Sequence, residues 1–125
     1  MARFSDILME HFQSPRNRGH LADPDLVGHA GLPGQGPYIS ISIRLLGNSV
    51  EVARFESNGC GVTIACGSIL TELIRSRSLA ECASLTADDI STALNGVPPD
   101  KAHCAALACD ALRHALNCVG AGGNA

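Results

Sequence analysis

The sequence is short of the residues that usually mark a partner. It has no tryptophan, and Phe4, Phe12, Tyr38 and Phe55 are the only aromatic side chains among 125 residues. Binding single-stranded nucleic acid by stacking needs spaced aromatics, so that mode has no support. Positive charge is also scarce. Nine Lys and Arg stand against twelve Asp and Glu, Lys101 is the sole lysine, and the formal net charge of −3 offers phosphates no basic face. Long hydrophobic runs are missing: the most apolar stretch, residues 60–70, is about half the ~20 residues of a membrane span, and Glu72 follows it. No two cysteines form a C-x-x-C pair, which argues against a zinc ribbon and a thioredoxin-like redox site. The first ten residues place Asp6 within their apolar segment and contain no small-residue cleavage site, so no secretory signal is expected. The expectation is a cytoplasmic protein with reduced thiols.

What is present describes one globular unit. The chain is 46% hydrophobic and 17% charged, and its length suits one ordinary domain. Phe4, Ile7, Leu8 and Phe12 recur at helical spacing and predict a helix over 3–13, ended by Pro15. Residues 15–37 are rich in glycine and proline and read as irregular loop, with a short edge strand near Leu26 and Val27. Ile39, Ile41, Ile43 and Leu45 then alternate with polar residues, as in a half-buried strand. The Gly47-Asn48 turn returns the chain as a second strand over 50–57. After Gly59-Cys60-Gly61 the period becomes helical through Ile74. Ser78 with Glu81, and Thr86, mark the starts of two short helices. Val97-Pro98-Pro99 reads as extended, and Asp100 as the cap of a last helix from Lys101 to about Val119. The fold expected is α+β: a small antiparallel sheet of about three strands with helices packed on one face. It forms a single domain over 1–119, followed by a flexible tail over 120–125.

Six cysteines, at 60, 66, 82, 104, 109 and 118, need a reason. Cys60 sits between two glycines at a strand-to-helix junction, and His103-Cys104 falls in the first turn of the last helix. Free N–H groups and the positive end of the helix dipole favour thiolate at both places. Two thiolates and an imidazole suit zinc, iron or copper(I). Cys66, Cys82, Cys109 and Cys118 fall in register with apolar neighbours or on a short remote helix and read as packing residues. A Cys/His hydrolase is disfavoured, because His103 and Cys104 project about 100° apart on a helix and no oxyanion-hole motif accompanies them. The expectation is therefore a protein that is not an enzyme. His11, His20, His29 and His114 are scattered without i, i+4 pairing.

With these residues in view, the chain resembles the IscU/NifU-type iron–sulfur cluster assembly scaffolds, from Phe4 to about Val119. Ser14-Pro15-Arg16-Asn17-Arg18-Gly19 after the opening helix, Ala53-Arg54-Phe55 leading into Gly59-Cys60-Gly61, and Val97-Pro98-Pro99-Asp100-Lys101-Ala102-His103-Cys104 carry the likeness. The resemblance implies a scaffold or sulfur/metal carrier that accepts persulfide sulfur from a cysteine desulfurase and builds a transient [2Fe–2S] cluster. The cluster would pass to iron–sulfur acceptor proteins, and a chaperone pair would bind the segment from Val97 to Lys101. It places Cys60, His103 and Cys104 at the cluster or zinc site, with Cys104 as sulfur acceptor and Lys101 beside it. Two family positions differ: Gln35 stands where the first cysteine belongs and Pro37 where an aspartate belongs. Val97 and Asp100 also depart from the chaperone segment's pattern. The alternative reading is a zinc-binding or regulatory module that keeps the fold without building clusters. Monomer and homodimer are both compatible, since two chains could pool four thiolates around one [2Fe–2S] unit.

Overall fold

The structure is a computed structural model that describes residues 4–123, with side chains described through residue 117. Its elements follow the order α1 (Asp6–Gln13), β1 (Leu26–Gly31), β2 (Tyr38–Leu46), β3 (Ser49–Asn58), α2 (Gly61–Ile74), α3 (Leu79–Ala83) and α4 (Ala87–Ala93). A 3₁₀ turn over Pro99–Lys101 leads into α5 (Ala102–Gly123). The strands form one antiparallel sheet in the order β1-β2-β3.

Alternation explains the sheet. In β2, Ile39, Ile41 and Ile43 all turn into the core, and across the strand pair Ile41 faces Phe55 and Ile43 faces Ala53. A bulge between Arg44 and Leu45 shifts the register near the hairpin end. The outer edge of β3 is not bare: Gly19 N–H donates to the Phe55 carbonyl, and Phe55 N–H donates to the Asn17 carbonyl. The loop before β1 therefore caps an edge that would otherwise invite pairing.

The edge strand is longer than expected. β1 runs the full length of Leu26–Gly31 despite its two glycines, pairing Leu26 with Ile43 through Gly31 with Tyr38. Gly28 explains why. A Cβ there would lie 2.3 Å from both the Ala111 carbonyl oxygen and the Ala115 nitrogen, so the strand and α5 meet backbone to backbone. The buried face of α5 matches this approach with Ala105, Ala108, Ala111 and Ala115.

α2 is the central helix. The apolar stripe of Val62, Ala65, Cys66, Ile69, Leu70 and Ile74 is buried, but so are Thr63, Gly67, Ser68 and Thr71. Gly67 is required by a close approach, since a Cβ would lie 2.4 Å from the Phe55 ring. The polar residues of α2 are covered from the α1 side. Ser68 Oγ accepts from the Arg16 N–H at 2.9 Å and lies 2.7 Å from His11 Nδ1, while Asn17 Nδ2 donates to Thr71 Oγ1 at 3.0 Å. This corrects the expected face of the first helix: α1 buries Leu8 and His11, whereas Ile7 and Phe12 stay 42% and 41% exposed. A polar partner on α2 selected the histidine over two apolar side chains.

The capping boxes at Ser78/Glu81 and Thr86/Asp89 are both formed. The last helix is entered differently from expectation, through the 3₁₀ turn, with Pro98 in the capping position and Pro99 at its start. A proline has no N–H to satisfy, which suits that place. α5 continues to Gly123, past the expected stop near Val119. The tail expected over 120–125, like the Cys118 side chain, falls outside the fully described residues. No helix among the described residues is long and apolar enough to cross a membrane.

A two-thiol candidate site at the starts of two helices

The turn from β3 into α2 is built by three residues in sequence. Gly59 adopts φ +145°, a conformation that side-chain-bearing residues avoid, and a Cβ there would lie 2.8 Å from the Thr63 hydroxyl. Cys60 is extended, at the N-cap of α2. Gly61 opens the helix, and a Cβ on it would lie 2.7 Å from the Phe12 ring, so α1 covers this junction.

Cys104, in the first turn of α5, is fully buried, and its Sγ lies 4.0 Å from the half-buried Cys60 Sγ. Thr63 joins the two. Its buried hydroxyl donates to Cys104 Sγ at 3.4 Å and lies 3.7 Å from Cys60 Sγ. Sequence reading missed Thr63, although its place three residues into the helix after Cys60 was the available signal.

The two thiols are electrostatically unlike. Partial burial pushes Cys60 up, but the Thr63 backbone N–H and hydroxyl, the Val62 N–H and the Cys104 thiol together outweigh it. Cys60 therefore ionises below the ordinary thiol value. Burial dominates at Cys104 and pushes it up; the Thr63 hydroxyl and the Lys101 charge pull back, while the Cys60 charge adds to the rise. Cys66 is raised further, first by burial and then by the neighbouring charges of Cys104 and Cys60. It is a core residue, as its register indicated, yet it feels both site sulfurs.

Cys60 opens into a cavity of about 290 Å³ lined by Phe4, Leu8, Phe12, Val62 and Lys101. The walls are mostly apolar, with the single lysine as the cationic contribution. The remaining expected site residues stand apart. His103 is exposed, because Cys104 on the same turn faces the core and the next helical position projects about 100° away. Gln35 and Pro37 lie in the exposed turn between β1 and β2, where the Gln35 N–H donates to the Leu32 carbonyl at 3.0 Å. Among the described residues, no three His, Cys, Asp or Glu side chains stand close enough together to hold a metal ion. The structure thus brings together two of the three expected ligands and leaves the imidazole outside. A [2Fe–2S] unit normally takes four protein ligands, so the assembled thiols fit half of such a set.

Two histidines that looked scattered do meet, remote in sequence from both cysteines. The His29 N–H donates to His114 Nδ1 at 3.0 Å, and the rings pack edge-on with centroids 4.7 Å apart.

The fold and its candidate site are thus a three-stranded antiparallel sheet, a central helix opening on Gly-Cys-Gly and a last helix with His-Cys in its first turn. The family model of the NifU-like N-terminal domain matches residues 3–119, and the chain belongs to that family. It is 40% identical over 113 residues to the iron–sulfur cluster assembly scaffold protein IscU 1 of Archaeoglobus fulgidus, covering 90% of this chain and 74% of that protein. It is 34% identical over 117 residues to the scaffold protein IscU of Haemophilus influenzae, covering 90% of this chain and 92% of that one. Among solved structures, a putative scaffold protein for the SUF system from Fervidobacterium islandicum superposes with a TM-score of 0.74, covering 91% of this chain and 96% of that one. At 16% identity that likeness speaks to the fold.

Proposed function

We infer that this chain works in iron–sulfur cluster assembly, as a scaffold or sulfur carrier supplied by a cysteine desulfurase. The observation that carries the reading is the pair of thiols 4.0 Å apart, beside an open cavity, in a chain of this family. Lys101 at the cavity wall gives an anionic sulfur species a countercharge. Iron and sulfide are the cargo, and Cys60 and Cys104 are the residues proposed to hold it. His103 joins them only if the start of α5 shifts. Because one chain offers two thiols where four ligands are usual, a [2Fe–2S] unit is completed by a second chain or by the acceptor protein. The cytoplasm, where thiols stay reduced, is the proposed compartment.

The test is transfer of labelled sulfur from cysteine through a desulfurase to this chain, followed by anaerobic reconstitution with iron and sulfide. Label should appear on the chain or as sulfide released through it, both should vanish in the Cys60→Ser/Cys104→Ser double variant, and reconstitution should give about one [2Fe–2S] unit per two chains. A chain that takes neither label nor iron would overturn the reading. Zinc binding without sulfur uptake would instead support a regulatory module.

A further inference from the structure

Cys60 is the only one of the five described cysteines that is not buried: Cys66 and Cys104 are 0% exposed, Cys82 1% and Cys109 3%. It is also the cysteine that lines the cavity under α1, where one more sulfur atom has room. Cys104 cannot meet an incoming donor without opening the core, yet it lies 4.0 Å from Cys60 Sγ, with the Thr63 hydroxyl touching both. We propose that Cys60 takes the sulfur and that Cys104 then releases it as sulfide by closing a Cys60–Cys104 disulfide. This inference rests on the reading that the chain handles persulfide sulfur, and it reverses the roles the family resemblance implies.

The steps balance without an added oxidant or reductant. The Cys60 thiolate attacks the terminal sulfur of a persulfide donor. A bond forms from Cys60 Sγ to that sulfur, the donor's S–S bond breaks, and the donor leaves as a thiolate. Cys104 then attacks Cys60 Sγ, having passed its proton towards the departing sulfur. The Sγ–Sγ bond forms, the bond to the terminal sulfur breaks, and that sulfur leaves with the electron pair as hydrosulfide. The transferred sulfur is reduced to sulfide and the two cysteines are oxidised to cystine. The chain acts once until a dithiol reductant reopens the disulfide.

The test uses the reduced full-length chain, anaerobically, with one equivalent of a low-molecular-weight alkyl persulfide and no desulfurase. The wild type should release about one sulfide per chain, lose the mass of two hydrogens, and yield a peptide joining Cys60 to Cys104. Cys104→Ser should keep the added sulfur on Cys60 and release no sulfide. Cys60→Ser should neither gain sulfur at the site nor release sulfide, with far-ultraviolet circular dichroism confirming that both variants fold. A wild type that retains a stable persulfide with both positions unlinked overturns the proposal. So does a Cys60→Ser chain that loads Cys104 at the wild-type rate. If a serine variant does not fold, the alanine variant at the same position takes its place, and the wild-type mass and peptide map still decide whether the disulfide closes. Because no desulfurase is present, failure of the assembly reading would leave this result standing, and the two failures are distinguishable.

Discussion

The starts of α2 and α5 present the same atom to the same threonine hydroxyl, yet they are held by different means. Along α5 the support is backbone: Gly28 on β1 lets the Ala111 and Ala115 backbone come within contact, about two to three turns beyond Cys104, which is itself fully buried. At α2 the support is a side chain, the Phe12 ring lying over Gly61, with Cys60 left half open. Backbone atoms cannot yield to an added methyl group, whereas a ring at the end of a flexible side chain can. One thiol is therefore buried on a helix fixed by backbone contact and the other lies under a movable cover, so that access belongs to Cys60 alone of the two.

The largest effect should come from testing those supports directly. Gly28→Ala drives a methyl group to 2.3 Å from main-chain atoms of α5 and should cost about 3 kcal/mol in urea unfolding. Gly61→Ala meets only the Phe12 ring and should cost about 1 kcal/mol or less while raising Cys60 reactivity severalfold. Equal costs would erase the distinction.

The next effect is reactivity. Cys60 should be alkylated on the order of a hundredfold faster than Cys104, which must wait for local opening. Mass mapping at short times with limiting iodoacetamide reads this, and comparable labelling would contradict the described burial.

A smaller effect follows from ionisation. For the thiols held above their unfolded value, Cys66, Cys82, Cys104 and Cys109, the stabilising contribution is complete below the unfolded thiol pKa of about 8.5 and is lost as pH rises beyond it. For Cys60, held below, the contribution is present above that value and is lost as pH falls through the lower folded one. Four thiols outweigh one, so the urea midpoint should fall as pH rises above about 8.5, and less steeply in Cys104→Ser. A midpoint that rises over that range would refute the assignment.

The smallest effect is at the bridge. Thr63→Val removes the hydroxyl shared by both sulfurs, so the pH midpoint for Cys60 alkylation should move up towards the ordinary thiol value. The fold should survive, since the change keeps the volume. An unmoved midpoint would mean that the backbone N–H groups and the Cys104 thiol hold Cys60 down without the hydroxyl.

Much of this architecture was legible in residue order where one local rule dominated. The isoleucines of β2 obey strict alternation, and the Ser78/Glu81 capping box and the Thr86 cap are local signals, though the Asp89 half of the second box was not read. Gly59-Cys60-Gly61 announced a junction that needs two glycines, though for two different reasons. What escaped depended on partners far along the chain. β1 was read as a short edge strand near Leu26 and Val27, and its continuation to Gly31 escaped because only the alanine face of α5 makes Gly28 an asset. His11, which read only as one of four scattered histidines, is buried against a serine 57 residues away. The three-ligand set was read from places beside two helix starts and from the family resemblance, but helical neighbours diverge, and burying Cys104 turned His103 outward.

Lys101 has a practical consequence. It is the chain's single lysine, and it lines the cavity that Cys60 enters. Any amine-directed reagent therefore has one side-chain target in the whole molecule, at the mouth of the thiol pocket. A fluorophore or crosslinker attached there, with the α-amino group as the one competing amine, is a reporter that needs no engineered handle, and its emission or its captured neighbour registers whatever docks over Cys60.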